Sequence, residues 1–192
     1  MKYDFFAYMA RMKYIKRWCL MHSVVEENIM EHSQQVTVIA HALALIGNKY
    51  FGKTYDIEKV LLYAVYHECG EVITGDLPTP IKYFNKDINA AYKGLEELAC
   101  NKIVSTLPDE LIDEYSSFVL PDTSSAEYKI MKKADRIAAY IKCVEELKTG
   151  NKEFKKAKDS IEKDIKDCEE EEVKYFIKNV LPVYNKTLDE LE

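Results

Sequence analysis

An all-helical fold is what this chain predicts, and two observations predict it. Only six glycines and five prolines interrupt 192 residues. Between them the apolar positions mostly recur every three or four residues, the repeat that lines them up on one face of a helix. A third observation sets the scale: with 47% hydrophobic content, residues 1–192 are enough for one domain with a core of its own.

The elements follow in order. The opening MKYDFFAYMARMKYIKRW is aromatic, but Asp4, Arg11 and Lys13 interrupt any signal-peptide core. Phe5, Tyr8, Met12 and Ile15 recur at helical spacing and read as core packing. Asn28 with Glu31 fits a capping-box variant, and the following HSQQVTVIAHALALIG carries Val36, Ile39, Leu43 and Ile46 on one stripe, with Gly47 expected to end the helix. Asp56 reads as the cap of a second helix, IEKVLLYAVYHECGEVITG, expected to run unbroken and buried. GDLPTPIKYFN cannot continue it, because each proline lacks an N–H and pushes its predecessor towards extended backbone, so a stiff loop is expected.

A third helix is expected over about residues 87–106. Pro108 opens a short fourth, PDELIDEYSSF, at a position where proline is tolerated. Ser124 with Glu127 reads as another capping box, starting a long helix that stops near Gly150. Beyond it, KEFKKAKDSIEKDIKDCEEEEVKYFIKNV places Phe154, Ala157, Ile161, Ile165 and Cys168 on one face and reads as a solvated amphipathic helix. The charged C-terminal helices, about 153–192, thus follow a core of about 5–155.

Composition removes several function classes. Lys and Arg number 27 against 33 Asp and Glu, a formal charge of -6, so no global positive field exists to hold a nucleic-acid polymer; a small anion needs only a local basic spot. No stretch reaches the ~18 apolar residues of a membrane span, so no membrane partner is expected. Five cysteines, odd in number and without a C-x-x-C pair, read as free buried thiols in a reducing cytoplasm.

The chemistry concentrates in YHECGEVITGDLPTPIKYFN, residues 66–85. On an unbroken helix His67 and Glu71 stack one turn apart with Glu68 to one side. Such a pair also fits a core histidine satisfied by a carboxylate. His32, just inside the preceding helix, and Asp135, in the otherwise apolar part of KKADRIAAYIK, weigh towards a metal. A buried carboxylate costs several kcal/mol unless a cation or hydrogen bonds neutralise it. His41, two and a half turns beyond His32, faces the opposite side and is left to packing or a surface hydrogen bond. Two imidazoles and two carboxylates suit manganese, cobalt, iron or zinc better than an all-oxygen ion.

The order His32, His67-Glu68, Asp135 resembles that of the HD-domain metal-dependent phosphohydrolases. RMKYIKRWCLM, NIMEHSQQVTVIAHALA, YHECGEVITGDLPTPIKYFN and KADRIAAYIKCVEELKTGN look like one branch, the bacterial HD-domain 5'-deoxynucleotidases, over most of residues 5–155. The EHS and GDLPTP elements are specific to that branch. The resemblance implies a single HD-domain helical bundle, working as a cytoplasmic homodimer, that removes the 5'-phosphate from deoxyribonucleoside 5'-monophosphates with one divalent transition metal ion.

Carried over residue by residue, the resemblance gives His32, His67, Glu68 and Asp135 the metal positions. Substrate contacts fall to Arg17, Trp18, Asp76, Leu77, Pro78 and Thr79, with His32, Glu68 and Asp135 also touching substrate. Arg17 orients the phosphate, Trp18 meets the sugar, and Glu71 stands near the reacting water, so Glu71, Arg17 and Asp76 are the catalytic set. Lys13, Lys16 and Lys82 read as surface charges. One position departs from the family, which writes His-Asp where this chain has His67-Glu68. The added methylene moves the carboxylate outward by about 1.5 Å unless the rotamer folds back. Two alternatives stay open beside retained deoxynucleotidase activity: another nucleotide phosphate ester as substrate, or a nucleotide-binding protein impaired by Glu68.

Overall fold

The computed structural model describes residues 3–82 and 84–191; Tyr83, inside the predicted loop, falls outside them. Ten α-helices appear among the described residues: α1 (Asp4–Arg11), α2 (Ile29–Tyr50), α3 (Ile57–Tyr66), α4 (Glu71–Thr74), α5 (Thr79–Lys82), α6 (Lys86–Val104), α7 (Asp109–Val119), α8 (Ala126–Lys148), α9 (Lys155–Lys166) and α10 (Glu171–Asn179). Among them no strand forms, only an isolated antiparallel bridge between Lys16 and Asn28. The all-α expectation holds, and among the described residues no helix is long and apolar enough to cross a membrane. The chain gathers into two compact units. One holds the residues up to Gln34 with Leu62–Thr123, the other Gln35–Leu61 with the residues from Ser124 onward.

In the first unit Phe5 of α1 is fully buried among Cys69, Ile103, Val104, Leu107 and Val119, with Tyr66 and Tyr115 packed around it. The Phe5 and Tyr115 rings meet nearly edge to face, centroids 4.8 Å apart. Met12 is buried as its spacing predicted, while Tyr8 and Ile15 are half-buried. In the second unit α8 packs along α9, and Ile137 and Ile141 of α8 are buried, as are Ile161 and Ile165 of α9. The predicted C-terminal helix is therefore not one helix: it divides into α9 and α10, and its apolar face is covered. Phe154, Ile161, Ile165 and Cys168 are buried and Ala157 is half-buried.

Caps show where local rules operate. Asn28 accepts from the backbone N–H of Met30 and Glu31 at 3.0 Å each, and Glu31 returns an acceptor to the Asn28 N–H at 3.3 Å, completing the predicted box. Asp56 accepts from the Lys59 N–H at 3.2 Å as expected. The α8 cap is one residue off: Ser125, not Ser124, accepts from the Tyr128 N–H, and Glu127 accepts from the Asp56 N–H. Gly47 does not stop α2, which runs on to Tyr50. A Cβ there would stand 2.7 Å from the Tyr55 ring, so Gly47 serves close packing, and Gly52, at φ +64°, makes the turn.

Two expectations about the middle of the chain need correcting. The helix from Asp56 breaks after Tyr66, where Cys69 and Glu71 donate to Tyr66 and Glu68 in three-residue turns before α4 begins. Gly70 lies so close to α6 that a Cβ would meet the Cys100 sulfur at 2.9 Å. The stiff loop, in turn, contains one helical turn, α5. The thiols are all free, but only Cys69, Cys143 and Cys168 are buried; Cys19 is exposed and Cys100 half-buried.

The second unit also hides a charge pair. Lys142 donates to Glu146 at 2.6 Å with both side chains buried, and Asn151 donates to the other Glu146 oxygen at 2.8 Å. Glu146→Ala is expected to destabilise the protein by about 3–5 kcal/mol, because the lysine keeps its burial and loses this carboxylate. Urea unfolding of the two proteins measures the difference, and a loss within 1 kcal/mol of zero would contradict the expectation.

Candidate metal and substrate site

The segment between α1 and α2 folds back on itself. The Arg17 N–H donates to the Glu27 carbonyl at 2.9 Å and the Ile29 N–H to the Ile15 carbonyl at 3.0 Å, closing a loop whose base is the Lys16–Asn28 bridge. Inside it, Arg17 Nη1 reaches Glu27 Oε2 at 2.7 Å, with the two side chains only 13% and 10% exposed. The Trp18 indole N–H donates to the same oxygen at 2.9 Å. Trp18 has φ +59°, a left-handed backbone that bulky residues rarely adopt. Its own N–H donates to Asp76 Oδ2 at 3.3 Å, tying this loop to the one after α4. Lys13 and Lys16 are exposed, as expected.

His32 sits in the first turn of α2, fully buried, its Nδ1 4.0 Å from Glu27 Oε1. His67 and Glu68 come from the turn after α3 rather than from a continuous helix. Ala64 lies in the last turn of α3, where carbonyls run out of helical N–H partners. Its oxygen is 2.8 Å from Nδ1 of His67. A carbonyl only accepts, so Nδ1 carries a proton and donates to it, which leaves Nε2 as the ring atom able to bind a cation.

That Nε2 atom is buried and makes no hydrogen bond, although Glu68 Oε1 is 3.1 Å away. An imidazole nitrogen and a carboxylate oxygen held at that distance are both donors that a cation between them would satisfy. The donor set therefore fits a metal on the structure's own chemistry. One ligand atom each from His32, His67 and Glu68 lies within 4.8 Å of the others. Donors about 2.1 Å from one ion can be at most about 4.2 Å apart, so a small side-chain rotation closes the set. The extra methylene of Glu68 does not carry its carboxylate out of reach of His67.

Glu71, the first residue of α4, is buried, and its Oε2 has no hydrogen-bond partner. Burial, then the negative charge and hydrogen bond of Glu68, push its carboxyl up to about 11. Burial also raises Asp76 above the usual carboxylate range, against the opposing pull of Arg17. Leu77 and Pro78 are half-buried and Thr79 is exposed, on a segment that leaves α4 through Gly75 at φ +73°. Tyr92 and Thr74 both donate to the Gly75 carbonyl, at 3.3 and 3.0 Å.

Lys82 is not the surface charge that sequence suggested. It is half-buried, 3.0 Å from Glu96 Oε1 and 4.8 Å from the Tyr92 ring centroid, and Glu96 outweighs the cost of burying its charge. Asp135 belongs to the other unit, on α8, largely buried and ion-paired with Lys132 one turn back. His41 is exposed. Glu27 went unread as well. The only sequence signal for it was an acid in the same short inter-helix segment as Arg17.

The chain matches the family described as 5'-deoxynucleotidase YfbR-like over residues 4–184. It is 48% identical over 188 residues to a 5'-deoxynucleotidase of Vibrio cholerae, covering 97% of each chain. Among solved structures, an HD-domain phosphohydrolase from Listeria innocua is similar with a TM-score of 0.83 at 24% identity, over 94% of this chain and 88% of that one. A cyanophage S-2L HD phosphohydrolase, bound to dA and one catalytic Zn2+ ion, is similar with a TM-score of 0.61 at 16% identity, over 92% and 95%.

Proposed function

The chain belongs to the YfbR-like 5'-deoxynucleotidase family, and from that premise we propose that it hydrolyses deoxyribonucleoside 5'-monophosphates to deoxynucleosides and phosphate. His32, His67 and Glu68 would hold one divalent transition ion, and the family resemblance adds Asp135 to that set. The observation that carries this reading is the buried Nε2 of His67, without a hydrogen-bond partner and 3.1 Å from a Glu68 oxygen. When bound, the ion supplies Lewis acidity at the phosphoryl oxygens and makes water a better nucleophile at neutral pH.

The chain's own groups do the rest. Arg17 offers a planar fork to phosphate oxygens and steadies the charge that spreads over them as the phosphorus–O5' bond breaks. Glu71 takes the proton that the attacking water gives up and returns one to the leaving 5'-oxygen. Asp76, Leu77, Pro78 and Thr79 form the rim of the substrate site, with the prolines limiting its motion. Trp18 lies against the sugar, where a 2'-hydroxyl finds no partner. Residues 1–192 act as one HD domain, and the enzyme works in the cytoplasm as a homodimer, the form usual in the family.

Phosphate release from dAMP and AMP with Mn, Co, Zn and Mg tests the reading, on wild type and Glu68→Asp. Wild type is expected to turn over dAMP, preferring it to AMP by up to about a hundredfold, since apolar contact rejects an added hydroxyl only that far. Release from dAMP by Glu68→Asp alone, under every metal, would replace this reading with that of an impaired nucleotide-binding protein.

A further inference from the structure

We propose that Glu27 is a positioning residue that sets Arg17 and Trp18 for phosphate and sugar. The inference rests on the deoxynucleotidase reading for what those two residues touch. Its geometric basis is independent of that reading. A single carboxylate oxygen, Glu27 Oε2, takes both Arg17 Nη1 at 2.7 Å and the Trp18 indole N–H at 2.9 Å. The backbone joins in, because the Arg17 N–H donates to the Glu27 carbonyl. Arg17 and Glu27 therefore face each other across the closed loop and cannot shift independently. The other oxygen, Oε1, stands 4.0 Å from Nδ1 of His32, so the same side chain borders the candidate metal centre.

A carboxylate is a poor phosphate ligand, since like charges repel, so Glu27 acts through its neighbours. A guanidinium has five N–H donors, and Glu27 engages one of them, fixing the plane in which the fork meets a phosphate. Trp18 needs such a hold because its left-handed backbone is one a tryptophan rarely adopts. The pair is mostly shielded from water, so salt screens it little.

Trp18 is the sole tryptophan, and its fluorescence reports the contact without any metal or substrate. In Glu27→Ala the indole is expected to lose anisotropy and shift its emission, while Glu27→Gln, which keeps an acceptor, stays near wild type. In steady state Glu27→Ala is expected to raise KM for dAMP by about 10- to 100-fold, the scale of a 1 Å misplacement, and to bring the dAMP-over-AMP preference towards one. Glu27→Gln restores that preference, and the ion content is unchanged in both.

A folded Glu27→Ala protein with wild-type anisotropy and a wild-type dAMP-over-AMP ratio overturns the proposal. Should that variant not fold, Glu27→Met, which keeps the volume and removes the acceptor, decides on the same readouts: lower anisotropy with a dAMP-over-AMP ratio nearer one supports the proposal, and wild-type values of both overturn it. If wild type releases phosphate from no deoxynucleotide, the functional reading fails instead, and the fluorescence still decides whether Glu27 holds Trp18.

Discussion

His67→Ala is expected to empty the protein of its divalent ion and to lower phosphate release from dAMP by about a thousandfold or more. The size follows from the several kcal/mol that a Lewis acid contributes to a developing phosphoryl charge, at about 1.4 kcal/mol per factor of ten. His67 is the informative position because the fold has already chosen its tautomer. The Nδ1–H donates to the Ala64 carbonyl, and Nε2 is left buried with no hydrogen-bond partner. Elemental analysis of purified protein and a phosphate assay read the two effects separately. An alanine variant that keeps a stoichiometric ion and near-normal turnover would show that the cation, if any, sits elsewhere.

Glu71→Gln is expected to lower kcat by about 10²–10⁴-fold, the usual contribution of a positioned acid or base, while ion content and the KM for dAMP change little. The amide matches the carboxyl in shape and can still donate towards Glu68, so the packing of α4 survives. What it cannot do is give a proton to the 5'-oxygen and take one from water. A loss of ion together with activity would instead make Glu71 a residue that only orients the Glu68 ligand.

Much of the helical frame was legible because it is encoded at short range. Asn28 and Glu31 are three residues apart, and the box they predict forms between their own backbones and side chains. Val36, Ile39 and Leu43 repeat at the helical period and are buried together. Where local signals competed, they misled. Gly47 looked like a stop because glycine often follows a helix end, yet α2 passes through it to make room for the Tyr55 ring. Ser124 read as the cap of α8, and the neighbouring Ser125 takes that place.

The candidate site divides in the same way. The residue types and their order along the chain, with the family they resemble, pointed to His32, His67, Glu68, Glu71 and Asp76. The tertiary structure decided how they are arranged: the helix breaks at His67, a Glu68 oxygen comes to 3.1 Å from its ring, and Lys82 is half-buried beside Glu96. Sequence alone determined the helical class, the main caps and the list of chemically able side chains, because periodicity and capping depend on neighbours three or four residues away. Tertiary structure alone decided the break before Gly70, pressed against Cys100, and the role of Glu27 across the loop from Arg17. Those contacts join residues 10 to 30 positions apart, and no period in the chain carries information over that distance.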